Sequence, residues 1–344
     1  ISSSALRIEK VAVMKIVSFT VLVLFYISAA IANDSSATLA AGGLELSKSA
    51  DISIESENLS ISSKVIQVDY VLKNNSATDI ETLVAFPLPK LMSDYEMDSS
   101  AAVSIPNPQS ENFVNFEVRV NNIKVPVHIE HIAFLKNDNS QTTQDITAEL
   151  KNFAIPISPF AKNYRKTLNT LPAAIANKLL AKKWLTKNSY DAGKGWVTDI
   201  NGNWETQTTL YWSKVFPDHK TMLVTHEYQP VVGSSFITEN GNSYHQGNLF
   251  CVDKGTEKAI NKKMQLLKGT DQNLLLAHHI QYILTTAKNW QGPIGSFTLV
   301  LDKEKANNII SVCLPEIEKL NKTQFSLEYK NFVPEKDLDI LIVE

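Results

Sequence analysis

Ile66-Gln67-Val68-Asp69-Tyr70-Val71-Leu72-Lys73, closed by Asn74-Asn75-Ser76, sets the reading of this chain. Ile66, Val68, Tyr70 and Leu72 alternate with Gln67, Asp69 and Lys73, the period of two that turns successive side chains to opposite faces of a strand. A polar Asn-rich break then hands over to Ile80, Thr82, Val84 and Phe86, expected as the partner strand. Val114, Phe116, Val118 and Val120 repeat the pattern, Asn121-Asn122 turns the chain, and Val125, Val127 and Ile129 follow. Strands of this kind, half buried and punctuated by turns, predict antiparallel sheets.

After Pro159 the rhythm changes. Leu168, Leu171, Ile175, Leu179 and Trp184 fall at helical spacing among Lys162, Arg165, Lys166, Lys178, Lys182 and Lys183. This predicts a basic amphipathic helix or helix pair with Pro172 in a first turn, packed on the sheets with its lysines in solvent.

Strand signals then resume. Asn201-Gly202 stands between Trp196-Val197-Thr198-Asp199 and an alternating run from Trp204 to Trp212, which reads as a hairpin turn. Asn240-Gly241 repeats that signal. Met222, Val224, His226 and Tyr228 share one face of a further strand. A short helix is expected over 256–267, and strands around 280–284, 297–301, 325–329 and 338–342. The expected class is mainly β (α+β): antiparallel sandwich-like units at 33–158 and 193–344, the second with one short helix, and a helical insertion at 159–192.

Upstream, Lys15 precedes the apolar run Ile16 to Ser28 and the small-residue ending Ala30-Ile31-Ala32. That is the pattern of a secretory signal peptide, so residues 1–32 are expected to be an upstream extension and a cleaved leader, leaving no membrane anchor. A periplasmic or secreted location follows. There Cys251 and Cys313, both beside apolar residues, are expected to form a disulfide, since no neighbouring base would activate either thiol. A formal net charge of −3 gives no electrostatic case for a nucleic-acid partner or for an anionic membrane surface.

Several landmarks occur in a distinctive order: Asn33-Asp34-Ser35, Gly42-Gly43-Leu44, Val84-Ala85-Phe86-Pro87-Leu88-Pro89, Phe216-Pro217, and His226-Glu227-Tyr228-Gln229-Pro230 with Gly233. They continue through Thr285-Thr286-Ala287-Lys288-Asn289-Trp290-Gln291-Gly292-Pro293-Ile294-Gly295 to Asn331-Phe332-Val333-Pro334. Together they resemble the exported bacterial family catalogued as domain of unknown function 4424, with Ala287 where that family places a glycine. The resemblance implies an exported, mostly β protein with both cysteines at family positions. It implies no catalytic residues.

Candidate sites follow from residue chemistry. His128 and His131 point to opposite faces of a strand, and adjacent His278 and His279 do the same, so neither pair reads as a metal site. No GxSxG elbow, HExxH motif or Walker loop is present. His226 lies on a face that otherwise reads as core, where an imidazole needs a hydrogen-bond partner. Trp204 and Trp212 share a strand face, either as core or as a stacking platform for sugars or peptides. Trp290 with Gly292 and Pro293 marks a rigid turn or one wall of a cleft. The expectation is a non-enzymatic protein without cofactor or metal, binding an envelope protein or glycan through Trp290, Gly292, Pro293, His226, Tyr228, Trp204 or Trp212. The alternative is an envelope hydrolase centred on His226 or Trp290.

Overall fold

The alternating runs become strands in the computed structural model, which describes residues 34–40, 43–95, 102–136, 143–191, 193–238, 249–268 and 274–344. The chain is mainly β, with several antiparallel sheets and four α-helices among the described residues. The Asn240-Gly241 turn lies outside the described residues, as do residues 1–33.

The largest sheet runs, in spatial order, Glu318–Lys319, Gln324–Phe332, Ile294–Asp302, Ile52–Ile61, Ile66–Asn74, Thr221–Tyr228, Glu117–Val120 and Ile123–Lys124. Its pairs are antiparallel except that of Ile294–Asp302 with Ile52–Ile61, which is parallel. A second sheet orders Thr143–Asp145, His128–Lys136, Glu205–Phe216, Ile80–Pro87, Ser35–Ala40 and Gly43–Ser47, with Leu91–Met92 beside Glu205–Phe216. A third orders Ile309–Val312, Leu338–Val343, Leu275–Tyr282, Val232–Ile237 and Ala102–Ser104. Strands from before residue 158 and after residue 193 therefore share sheets. Side chains of all three sheets meet in one core, represented by Tyr70, Phe86, Trp212 and Tyr282.

Two expected pairings are corrected. Strand Ile80–Pro87 pairs with Glu205–Phe216 and Ser35–Ala40, whereas Ile66–Asn74 pairs with Ile52–Ile61 and Thr221–Tyr228. The turn between the first two carries the chain from one sheet to another. Asn201-Gly202 is likewise not a hairpin turn. Both residues are buried at the end of strand Trp196–Gly202, which pairs with Leu185–Asp191. Gly202 is glycine for another reason: a Cβ there would come within 2.5 Å of the Trp204 ring and the Tyr164 hydroxyl. Asn121-Asn122 does turn as expected, with φ of 48° and 65° joining paired Val120 and Ile123.

The basic segment forms α2 (Tyr164–Asn169) and α3 (Ala173–Ala181), after a short α1 (Thr147–Asn152). Pro172 stands one residue ahead of α3 as its cap. Helical structure ends there, because Leu185–Asp191 is a strand. Leu150, Leu168, Leu179, Trp184 and Trp204 make a second core beneath these helices. Helix α4 (Lys254–Leu267), capped by the Asp253 carboxylate accepting from Thr256 N, covers a third core with Ile260 and Met264. Cys251 and Cys313 are joined as a disulfide across 62 residues beside it.

Candidate functional site

Alternation along strand Thr221–Tyr228 turns Met222, Val224, His226 and Tyr228 inward. His226 is fully buried, its ring 4.9 Å from Trp212, 5.1 Å from Phe116, 5.3 Å from Phe86 and 5.5 Å from Tyr70. Nε2 stands 3.4 Å from the Asp34 carboxyl, also fully buried. Glu57 is a third buried polar group, and its position depends on an irregularity. The register of strand Ile52–Ile61 shifts between Ile54 and Ser56, so the inward parity moves from Ile52 and Ile54 to Glu57, Leu59 and Ile61. Glu57 then lies opposite Tyr70, whose hydroxyl is 3.4 Å from that of Tyr282.

The Trp290 segment builds this centre. Trp290 Nε1 donates to the Asp34 carbonyl oxygen at 2.7 Å, and Asn289 Nδ2 donates to Ser35 Oγ at 2.9 Å. Gly292 has φ +73°, which favours glycine at the turn. Gly295 admits the shifted strand, since a Cβ would stand 2.6 Å from the Glu55 carbonyl oxygen.

Burial governs the protonation of these groups. It lowers the His226 pKa to about 3, so the imidazole is neutral at ordinary pH. Burial first, and the Glu57 carboxyl second, raise the Asp34 pKa well above the carboxylate range. The 3.4 Å contact thus joins a neutral imidazole to a carboxyl that burial drives toward its protonated form. His226, Trp290 and a carboxyl do converge, but inside the core, where Asp34, Glu57 and His226 are each 0% exposed. The arrangement has the parts of an acid–base site without access for a substrate.

Access is found nearby, in a cleft of about 330 Å³. Strand Ile80–Pro87 ends in Pro87-Leu88-Pro89, and Thr221–Tyr228 is followed by Gln229-Pro230. Proline supplies no N–H to continue a ladder, so both chains leave their sheets there. Leu88, Leu91, Phe113, Tyr228, Val231 and Phe250 form apolar walls. Polar groups are few. Lys90 has its pKa lowered by burial and its Nζ 4.0 Å from the centroid of Phe134. His279 is lowered by burial and then by His278, and its Nε2 lies 3.2 Å from Ser235 Oγ. Asp339 is raised by burial and then by Asp337. A second depression of about 490 Å³, beside Cys313, Tyr329, Asn331 and Phe332, is walled mostly by one C-terminal stretch.

Of the residues expected to bind, only Tyr228 lines the 330 Å³ cleft. Gly292 and Pro293 are exposed at their turn. Trp204 and Trp212 are each 1% exposed, in two different cores, so they offer no stacking platform; Trp204 Nε1 donates to the Ile157 carbonyl at 3.1 Å. Lys90, Phe113, Phe250 and Asp339 carry no sequence signal of a site, and His279 reads there only as half of an adjacent pair unsuited to a metal, whereas Phe86-Pro87-Leu88-Pro89 and Gln229-Pro230 with Gly233, both legible as landmarks, carry other lining residues. Among the described residues no group of three or more His, Cys, Asp or Glu side chains is placed to hold a metal.

Comparison with known proteins gives one family. The model described as Domain of unknown function (DUF4424) matches residues 32–341. No curated protein matches. A solved structure from Legionella pneumophila, described as a candidate nutrient binding protein, is 13% identical; the match covers 91% of this chain and 70% of that one, with a TM-score of 0.42. A likeness of that degree carries no argument about either fold or ligand.

Proposed function

The chain belongs to the DUF4424 family, and we propose that it is an exported, non-enzymatic binding protein. Its ligand enters the cleft between the Pro87-Leu88-Pro89 and Tyr228-Gln229-Pro230 segments. One observation carries the reading: a preformed apolar cavity of about 330 Å³ with a few polar groups, the usual form of a binding site. Leu88, Leu91, Phe113 and Phe250 favour an apolar segment of an envelope protein, or a small apolar molecule, over a glycan. A glycan buried there would leave hydroxyl groups without hydrogen-bond partners. Lys90 favours a negative group at one end.

A periplasmic or secreted location is supported by the leader pattern at 14–32 and by the disulfide, which persists in oxidising compartments. No helix among the described residues is long and apolar enough to cross a membrane. The sealed position of His226 and Asp34 supports binding over hydrolysis.

The test is a titration with 1-anilinonaphthalene-8-sulfonate, an apolar probe carrying one negative charge. Saturable binding is expected, weakened roughly tenfold, about 1.4 kcal/mol, by Lys90→Glu, and abolished by Val231→Trp or Leu91→Trp. Undiminished binding by folded Trp variants would overturn the assignment of the cleft.

A further inference from the structure

Among the described residues, strands Leu185–Asp191 and Trp196–Gly202 pair only with each other, as a two-stranded ribbon outside the three sheets. Its base is held firmly. Leu185 is buried, Gly202 sits against Trp204 and Tyr164, and Ile200 N donates to Asn169 Oδ1 of α2 at 2.9 Å. Its far end projects, carrying Trp196 at 77% exposure, Tyr190 at 46% and Val197 at 38%. The other four tryptophans are buried, so Trp196 is the one exposed indole of the chain. A lone paired ribbon gains little from burying its own side chains. Nothing in the fold requires an indole at its tip.

Charge distinguishes this region as well. Residues 159–202 hold eight Lys and Arg against Asp191 and Asp199, in a chain of formal charge −3. All eight cations are exposed. Lys187 and Lys194 lie on the ribbon itself, where the Tyr190 hydroxyl donates to the Asp199 carboxylate at 3.1 Å, and Arg165 lies on α2. Tryptophan and tyrosine place an apolar ring and a polar edge together, the combination favoured at the headgroup level of a bilayer. Lysines beside them are drawn to anionic headgroups.

We propose that the Leu185–Gly202 ribbon is a membrane-contact element that seats Trp196 and Tyr190 in the interface of a bilayer containing anionic phospholipid. The partner is a lipid surface rather than a soluble anionic polymer, because Val197 stands beside Trp196 and Tyr190 and the three together form an apolar tip ringed by cations, the pairing of apolar insertion with headgroup attraction that a bilayer interface uses. This contact is separate from the cleft, which lies at Tyr228 and not on the ribbon.

The experiment mixes the full chain with vesicles of phosphatidylcholine containing phosphatidylglycerol, and with vesicles of phosphatidylcholine alone. Co-sedimentation with the anionic vesicles is expected, with a blue shift of tryptophan emission and protection from acrylamide that report on Trp196. Trp196→Ala abolishes the shift and weakens binding. Lys187→Glu and Lys194→Glu each weaken it roughly fivefold, while dye binding in the cleft is unchanged. Trp196 is exposed, so its replacement leaves the fold intact, and Tyr190→Ala provides a second variant. Three results would each overturn the proposal: no sedimentation at physiological ionic strength, full binding by Trp196→Ala, or capture by heparin as tight as by vesicles with the emission unmoved.

Discussion

His226 and Asp34 give the molecule opposite responses to pH. The folded imidazole takes a proton only near pH 3, whereas the unfolded chain does so near 6.5. Between those values the unfolded state binds more protons, so this residue's contribution falls with pH by about 1.4 kcal/mol per unit below 6.5. Asp34 acts the other way. Its raised folded pKa means that its contribution is complete below 3.8 and is lost as pH rises through the folded value. His226→Gln is therefore expected to flatten the loss of stability between neutral pH and pH about 5, and Asp34→Asn to stabilise the protein at neutral pH. Urea unfolding across that range measures both. An unchanged acid-side slope in His226→Gln would contradict the buried neutral imidazole.

At the scale of elements, the turn 291–295 and the shifted strand Ile52–Ile61 work as a pair. Gly295→Ala would push a Cβ against the Glu55 carbonyl, 2.6 Å away, and neither strand can retreat without disturbing a ladder. A loss of about 1–3 kcal/mol is expected, as for overpacking a dense interior. Gly292→Ala has open space around it and should cost only about 1 kcal/mol, from its left-handed backbone. Thermal melts that rank the two in the reverse order would refute the close approach. The local sequence supports only part of this picture. Glycine and proline at 292–295 predict a turn, but the facing carbonyl comes from a residue some 240 positions earlier. Asn201-Gly202 teaches the same lesson, since its glycine answers to the Trp204 ring rather than to a turn.

Across the whole molecule, the disulfide ties the segment ahead of α4 to the region after strand Ile309–Val312. Replacing Cys251 and Cys313 together by Ser should lower stability by up to about 4 kcal/mol in the chain-entropy model. Hydrogen exchange should rise first in α4 and strand Leu275–Tyr282, around the small core of Ile237, Phe250, Ile260 and Leu275. Uniform exchange across all sheets would instead mean that the crosslink supports the fold as one unit.

What the sequence determined alone was the direction of side chains. Alternation placed Val68, Tyr70, His226, Tyr228 and Ile340 inside without reference to any partner, because the pleat is a property of each strand by itself. Tertiary structure decided which strands became neighbours and where the space between them opened. Ile80–Pro87 reads the same beside Ile66–Asn74 as beside Glu205–Phe216, since a period of two carries no address. The cleft, the inward turn of Glu57 and the meeting of Trp290 with Asp34 all arise from segments far apart in the chain, and only packing brings them together.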